Sequence, residues 1–352
     1  MIDFTNATID ITSNYGGSDQ KRGIIYHNKK FMLKLSDRIE TPGKNNLMDS
    51  YSNSVYSEYI CCHILGICGY DAQNTLLGTI VMDTKKHKDM RVPVVACENF
   101  VPEGYSLIEF KNIQNAIQPN KPGKIPKISE IYEVLGTPNA YFSKEQGEKA
   151  IERFWETFIF DSYFGNFDRH GNNWGYLIND NNEIKLAPVY DCGSCLYPQV
   201  SDEAIPAIIN YAEEIKKRID VFPKAALLDK NGNKIEYKNF INSFQDKECT
   251  KALLKIYPTI NIDKINNFIN NIEEISDIRK QFYKTMLQAR FDFILTPAYN
   301  NAIEKIQSMD IDEPTLPEPD EYDDINDDIV LPEISSENIY KNKQNIENDI
   351  KL

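Results

Sequence analysis

Along the first hundred positions, apolar and β-branched residues come in short runs. Gly23-Ile24-Ile25-Tyr26-His27 and Lys30-Phe31-Met32-Leu33-Lys34-Leu35 flank a polar turn at Asn28-Lys29, the pattern of a β-hairpin. Positions 40–53 are polar, contain Pro42-Gly43 and read as a loop. Val55, Tyr59, Cys62 and Leu65 recur at helical spacing, which predicts a helix over 54–65 with Ser52 or Ser54 as its cap. Two more apolar runs, 75–82 and 92–100, joined by the polar stretch 83–91, predict a second hairpin.

After Phe100 the period lengthens to that of helices. Positions 145–164 are amphipathic and rich in aromatics. Two short strand-like pieces, 174–178 and 184–187, flank a polar turn at 179–183. Helical patterns return at 202–218, near 250–256 and at 262–272, and the longest runs from about 275 to 306. No internal repeat is present. A β-rich part of about 100 residues followed by a helical part is one of several α+β arrangements.

The chain has 352 residues, 41% of them hydrophobic, enough for a large core. No apolar run approaches the roughly 18 residues of a membrane helix. Met1-Ile2-Asp3-Phe4-Thr5-Asn6 lacks the basic, then apolar, pattern of a secretory signal, so the expected compartment is the cytosol. Seven cysteines with no regular framework read as buried thiols. Cys192-x-x-Cys195 has redox or zinc spacing, but no second pair completes a metal site, and it reads as structural.

The net charge of −14 is concentrated at one end. Positions 309–352 carry 14 acids and 3 bases, a net of −11, which leaves −3 for positions 1–308. No basic stripe argues for nucleic acid. The acidic stretch contains Pro314, Pro317, Pro319 and Pro332 and is expected to be disordered. It reads as a solubilising tail, with a partner-binding or pseudosubstrate segment at 324–332 as the alternative.

The densest chemistry lies in Gly165-Asn166-Phe167-Asp168-Arg169-His170-Gly171-Asn172-Asn173-Trp174-Gly175, and Asp191 follows beyond the short hairpin. Phosphoryl transfer needs metal ions against the β- and γ-phosphates and a carboxylate to orient the attacking hydroxyl. Mg²⁺ takes hard oxygen ligands. Asp168 as base, with Asn173 and Asp191 as metal ligands, supplies that set. The competing reading of each acid singly is a turn or cap residue.

Asn166-x-Asp168-x-His170-x-x-Asn173, followed by Ala187-Pro188-x-Tyr190-Asp191, resembles the catalytic and metal-binding signature of HipA-like kinases. These are bacterial serine/threonine kinases with a bilobal, protein-kinase-like fold. The resemblance covers roughly positions 1–300 and implies a β-rich N-lobe at 1–100, a helical C-lobe at 101–308 and a tail at 309–352. It also implies ATP and Mg²⁺ as cofactors.

Within that resemblance, Lys34 is similar to the family's ATP-binding lysine, and Glu58 to its helix partner. Tyr15-Gly16-Gly17-Ser18-Asp19-Gln20-Lys21 resembles the phosphate-covering loop, so Gly16, Gly17, Ser18 and Lys21 join the nucleotide site. Ala96-Cys97-Glu98-Asn99-Phe100 resembles the hinge, which adds Glu98 and Phe100. His170 is expected to orient the loop and border the nucleotide. Arg169 is expected to reach a phosphate, the neighbourhood of Asp191, or a local carboxylate. His27, His63 and His87 read as structural or surface residues.

HipA toxins carry an antitoxin-contacting subdomain before the phosphate loop, and here that loop begins near residue 15. A HipB-like partner is therefore not expected. The short architecture is that of a subgroup of which some members act on host-cell proteins. HipA toxins also have a regulatory serine in the phosphate loop, and Asn14, with Ser13 beside it, stands there instead.

The expected function is Mg-assisted transfer of the ATP γ-phosphate to a protein serine or threonine, with autophosphorylation at Ser13, Ser18, Ser194, Tyr197 or Ser201. Neither nucleic acid nor a membrane is an expected partner. A small-molecule phosphotransferase and a pseudokinase scaffold are the alternatives.

Overall fold

The computed structural model describes residues 2–11, 21–35, 53–82, 88–119 and 125–309. Those through Ser308 belong to one compact unit. The expectations for Ser13, Asn14, Gly16, Gly17, Ser18, His87, most of the 40–53 loop and the acidic tail lie outside the described residues.

Six strands form the first sheet: β1 (Ile2–Asp3), β2 (Thr8–Ile9), β3 (Lys21–Tyr26), β4 (Lys29–Leu35), β5 (Thr75–Met82) and β6 (Met90–Glu98). Their order is β1-β5-β6-β4-β3-β2, antiparallel except where β1 runs parallel to β5. Both predicted hairpins are present. The first turns at His27 and Asn28, one residue earlier than expected, and both adopt left-handed φ, 47° and 60°. A two-residue turn of that hand matches the twist of its flanking strands.

Strand alternation divides the sheet's two faces. Ile24, Phe31, Leu33, Val92, Val94 and Ala96 share one core. Val95 and Cys97 face the other way, with Val55 of helix α1 (Ser54–Ile67) packed on them. Lys34 pairs in register with Val95, so the period of two turns the lysine toward α1. The expected Ser52 or Ser54 cap is not what α1 uses. Asn53 is its N-cap and makes no side-chain cap bond. Its amide instead donates to Pro198 O (3.1 Å) and Val200 O (3.0 Å) in the helical part.

A second sheet of three strands follows, β7 (Tyr105–Glu109), β8 (Gly175–Asn179) and β9 (Ile184–Leu186). The last two are the predicted short pieces. β7 was not expected, because it falls where the helical period was read to begin. Gly175 lies so close to it that a Cβ would stand 2.3 Å from Ile108 O.

The remaining helices are α2 (Phe110–Ile117), α3 (Ile128–Leu135), α4 (Lys144–Phe164), α5 (Pro206–Ile209), α6 (Ala212–Asp220), α7 (Tyr237–Ser243), α8 (Lys247–Ile256), α9 (Ile262–Asn270), α10 (Asp277–Arg290) and α11 (Thr296–Met309). Their apolar faces close one large core around α4, whose Trp155, Ile159 and Tyr163 are fully buried. Two helices read as continuous are broken. Positions 202–218 divide into a 3₁₀ turn at Asp202–Ala204, α5 and α6, and Pro206 opens α5 at the one place its missing N–H costs nothing. Between α10 and α11, Phe291–Leu295 is a π-helical turn. Pro297 has no N–H for the carbonyl four residues back, and its ring crowds that carbonyl, so the ladder widens there.

Candidate active site

Helix α4 delivers the first loop. Ser143 caps its start by accepting from Gln146 N (3.3 Å), and Gly165 ends it in the left-handed region at φ 68°. The chain then turns through 166–173 into β8. Within this loop Asn166 Oδ1 accepts from Asp168 N (3.0 Å), His170 N donates to Asp168 O (2.8 Å), and Asn173 Nδ2 donates to the same carbonyl (2.7 Å). Outside it, Tyr237 OH donates to Asn166 O (2.7 Å), and Lys111 N at the start of α2 donates to Gly171 O (2.8 Å).

The second loop leaves β9 and runs to Asp191. Val189 is held on both sides by the linker before β5: its N–H donates to Asp71 O (2.9 Å), and its carbonyl accepts from Gln73 N (2.8 Å). Asp191 has φ 58°. A non-glycine residue there is uncommon, though aspartate tolerates it better than most.

Arg169 ties the two loops together. It is buried, and its Nε donates to Asp161 Oδ2 (3.0 Å) on α4. Its Nη1 donates to the carbonyls of Asn173 (2.9 Å), Tyr190 and Asp191 (3.2 Å). Of the roles open to it, Arg169 therefore takes two: the local carboxylate and the neighbourhood of Asp191.

The two parts of the chain meet at Lys34. Its ammonium lies 3.0 Å from Glu58 Oε2 and 2.9 Å from Asp191 Oδ1. Glu58 is fully buried, and its second oxygen has no hydrogen-bond partner. Burial works against charge on Lys34, but Asp191 and Glu58 outweigh it and raise its pKa well above the ordinary value. Burial alone would lift Asp191, yet Lys34 beside it brings the carboxyl down to about 2. Glu58 goes the other way, because burial exceeds the pull of Lys34. At Asp168 burial also raises the pKa, Asp191 adds to that, and His170 opposes it.

The other expected residues occupy these positions. Lys21 is the register partner of Lys34 across the first hairpin, and its charge helps hold Asp191 ionised. His170 lies with Nε2 3.8 Å from Asp168 Oδ1. The Phe100 ring centroid is 5.4 Å from that of Tyr190, across the seam between the parts. Glu98 lies at the end of β6. Its carboxylate is taken by Lys29 (2.7 Å) and Asn74 (2.7 Å), its N–H donates to Asn74 O (2.9 Å), and its carbonyl accepts from Gln73 (2.9 Å). Tyr197 is buried with its hydroxyl on Arg218 O (2.7 Å), so it is a structural residue rather than an accessible acceptor.

Cys192 and Cys195 are buried free thiols, and among the described residues no group of three or more His, Cys, Asp or Glu could hold a metal. Sequence reasoning missed Asp161, Tyr237 and Arg290. Arg290 is fully buried, with Nε donating to Ser162 O (2.6 Å) and Nη1 to Arg218 O (2.9 Å). The available signal was a charged residue set among aromatics at a helix end, Asp161 beside Phe160 and Arg290 beside Phe291.

A strand lysine paired in burial with a helix glutamate, set against an acid, amide and acid on two loops of a helical part, is the arrangement of a kinase. The HipA-like C-terminal domain matches residues 13–256, and the chain belongs to that family. It is 37% identical over 306 residues to the serine/threonine-protein kinase CtkA of Helicobacter pylori, covering 86% of this chain and 89% of that one. It also superposes on the crystal structure of the Helicobacter pylori proinflammatory kinase CtkA with a TM-score of 0.76. That match has 35% identity and covers 87% of this chain and 99% of the other. Among the described residues no helix is long and apolar enough to cross a membrane.

Proposed function

We propose that this kinase transfers the γ-phosphate of ATP to a serine or threonine hydroxyl of a protein, with Asp168 as the base. The contact that carries this reading is Lys34 between Glu58 and Asp191. A charged lysine held by a buried glutamate is suited to the α- and β-phosphates. A phosphate oxygen competes for the same ammonium that Asp191 now holds, and that competition frees the carboxylate.

Mg²⁺ fits the donors present. Asn173 engages its Nδ2 with Asp168 O, which leaves its amide oxygen, and Asp191 has Oδ1 on Lys34, which leaves Oδ2. Both are hard oxygen ligands, and phosphate and water complete the usual set. When bound, the ion neutralises charge on the β- and γ-phosphates. The chain's own residues do the rest. Asp168, part-exposed, takes the proton of the acceptor hydroxyl. Arg169 fixes the spacing between that base and the metal-binding acid. Autophosphorylation is part of the proposal, with Ser194 and Ser201, both part-exposed, as the candidates within the described residues.

Incubation with γ-³²P-ATP and Mg²⁺, followed by intact-mass and peptide mass spectrometry, tests it. Asp168→Ala should lower transfer by about 10²–10⁴. Asp191→Ala should lose Mg²⁺-dependent ATP binding as well. Labelling of both variants at the wild-type level would sink the assignment.

A further inference from the structure

Two exposed apolar residues lie beside the loop that carries Asp168. Val221 and Phe222 follow the end of α6 and are 61% and 45% exposed. Both of their N–H groups donate to Lys217 O, at 2.9 and 3.2 Å, so the helix holds the turn that presents them. The Phe222 ring centroid is 5.3 Å from that of Phe167, the residue directly before Asp168. Pro223 packs against the start of the same loop, where a Cβ on Gly165 would stand 3.1 Å from Pro223 Cγ. Tyr237 of α7 adds its bond to Asn166 O.

A single exposed phenylalanine is ordinary. Phe222 differs from Phe293 and Ile306, which are also exposed, in where it lies. Neighbouring Cα atoms are about 3.8 Å apart, and Asn166 Oδ1 holds Asp168 N, so Phe167 is fixed between them. A hydroxyl delivered to the part-exposed carboxylate of Asp168 therefore brings its own flanking residues to this surface. An extended chain advances about 3.3 Å per residue, so a residue one or two positions from the acceptor spans the distance. The two exposed side chains carry no charge and offer no hydrogen bond. A polar group set against them loses water and gains no partner, which favours an apolar one.

We propose that Phe222 is a specificity-determining residue that receives, with Val221, a large apolar side chain one or two positions from the acceptor serine or threonine of the substrate. This rests on the transfer reading with Asp168 as base and adds to it which acceptor sequences are chosen.

The test offers the full chain, with γ-³²P-ATP and Mg²⁺, a library of serine peptides varied at the two positions on each side of the acceptor. Peptides with Leu, Ile, Met or Phe at one of those positions should be labelled about tenfold more strongly than their alanine counterparts. Phe222→Ala should reduce that ratio to about two, the loss appearing mainly in KM for the apolar peptides, and Phe222→Leu should restore most of it. Val221→Asp, at the more exposed position, should lower the ratio as well and serves if Phe222→Ala fails to fold. A serine peptide with 4-fluorophenylalanine on both sides gives a readout without transfer. Its ¹⁹F lines should broaden saturably with the wild type and not with Phe222→Ala. Labelling without an apolar preference, a preference that the folded variants keep, or fluorine lines that the wild type does not broaden or that both proteins broaden equally would each overturn the proposal. Broadening by the wild type alone, with no peptide labelled, would overturn the transfer reading instead.

Discussion

Arg169 supplies one guanidinium to a carboxylate on α4 and to backbone carbonyls of both loops. Replacing it with Met leaves Asp161 buried and unpaired. Removing one partner of such a pair costs about 3–5 kcal/mol. Arg169→Met should show that loss in urea unfolding, with activity falling as the loops separate. The charges at the site also order its response to pH. Asp191, at about 2, lies below the value of an unfolded aspartate. Its pairing with Lys34 therefore stabilises the fold above that range and fades only as pH falls toward 2. Asp168 is shifted upward instead, so it loses its charge first on acidification. A carboxyl ¹³C titration should put its midpoint above that of free aspartate, and His170→Gln, which removes an opposing charge, should raise it further. A midpoint at or below the free value would contradict this account. Asp168, Asn173, Asp191 and Lys34 were legible because their spacing and their likeness to a known signature survive in one dimension. Asp161, Tyr237 and Arg290 were not, because they act from other elements through contacts that the fold alone creates.

The elements were legible where a single period dominates. Both hairpins of the first sheet, α1 and α4 stand close to where alternation and helical spacing put them. β7 was missed because a five-residue strand that runs directly into α2 shows no break in sequence. The interruptions at Pro206 and Phe291–Leu295 were missed for a different reason. Apolar spacing continues across them while the backbone hydrogen bonds do not. Asn53 is a further case, since a residue placed to cap a helix instead binds across to the helical part. Asn53→Ala removes two bonds to carbonyls and should cost about 1–2 kcal/mol. Hydrogen exchange should then rise at the start of α1 and around Val200. Unchanged exchange at both would show that the tie carries no load.

For the whole molecule, the consequence of a site built from a sheet and a helical part is that a bound nucleotide should stabilise both together. At a hundred times its Kd, ATP with Mg²⁺ contributes about 2.7 kcal/mol. The melting temperature of the wild type should rise accordingly, and that of Lys34→Met and Asp191→Asn should not. A full shift in either variant would place the nucleotide elsewhere.

Asp191 holds its place beside Lys34 with a backbone that few side chains accept. Asparagine is among those few, and its codons differ from those of aspartate by a single base. Under the metal-binding role proposed for Asp191, Asp191→Asn should therefore remove activity while leaving the fold intact. On that role, one base change separates this chain from a protein that would keep the shape and lose the reaction.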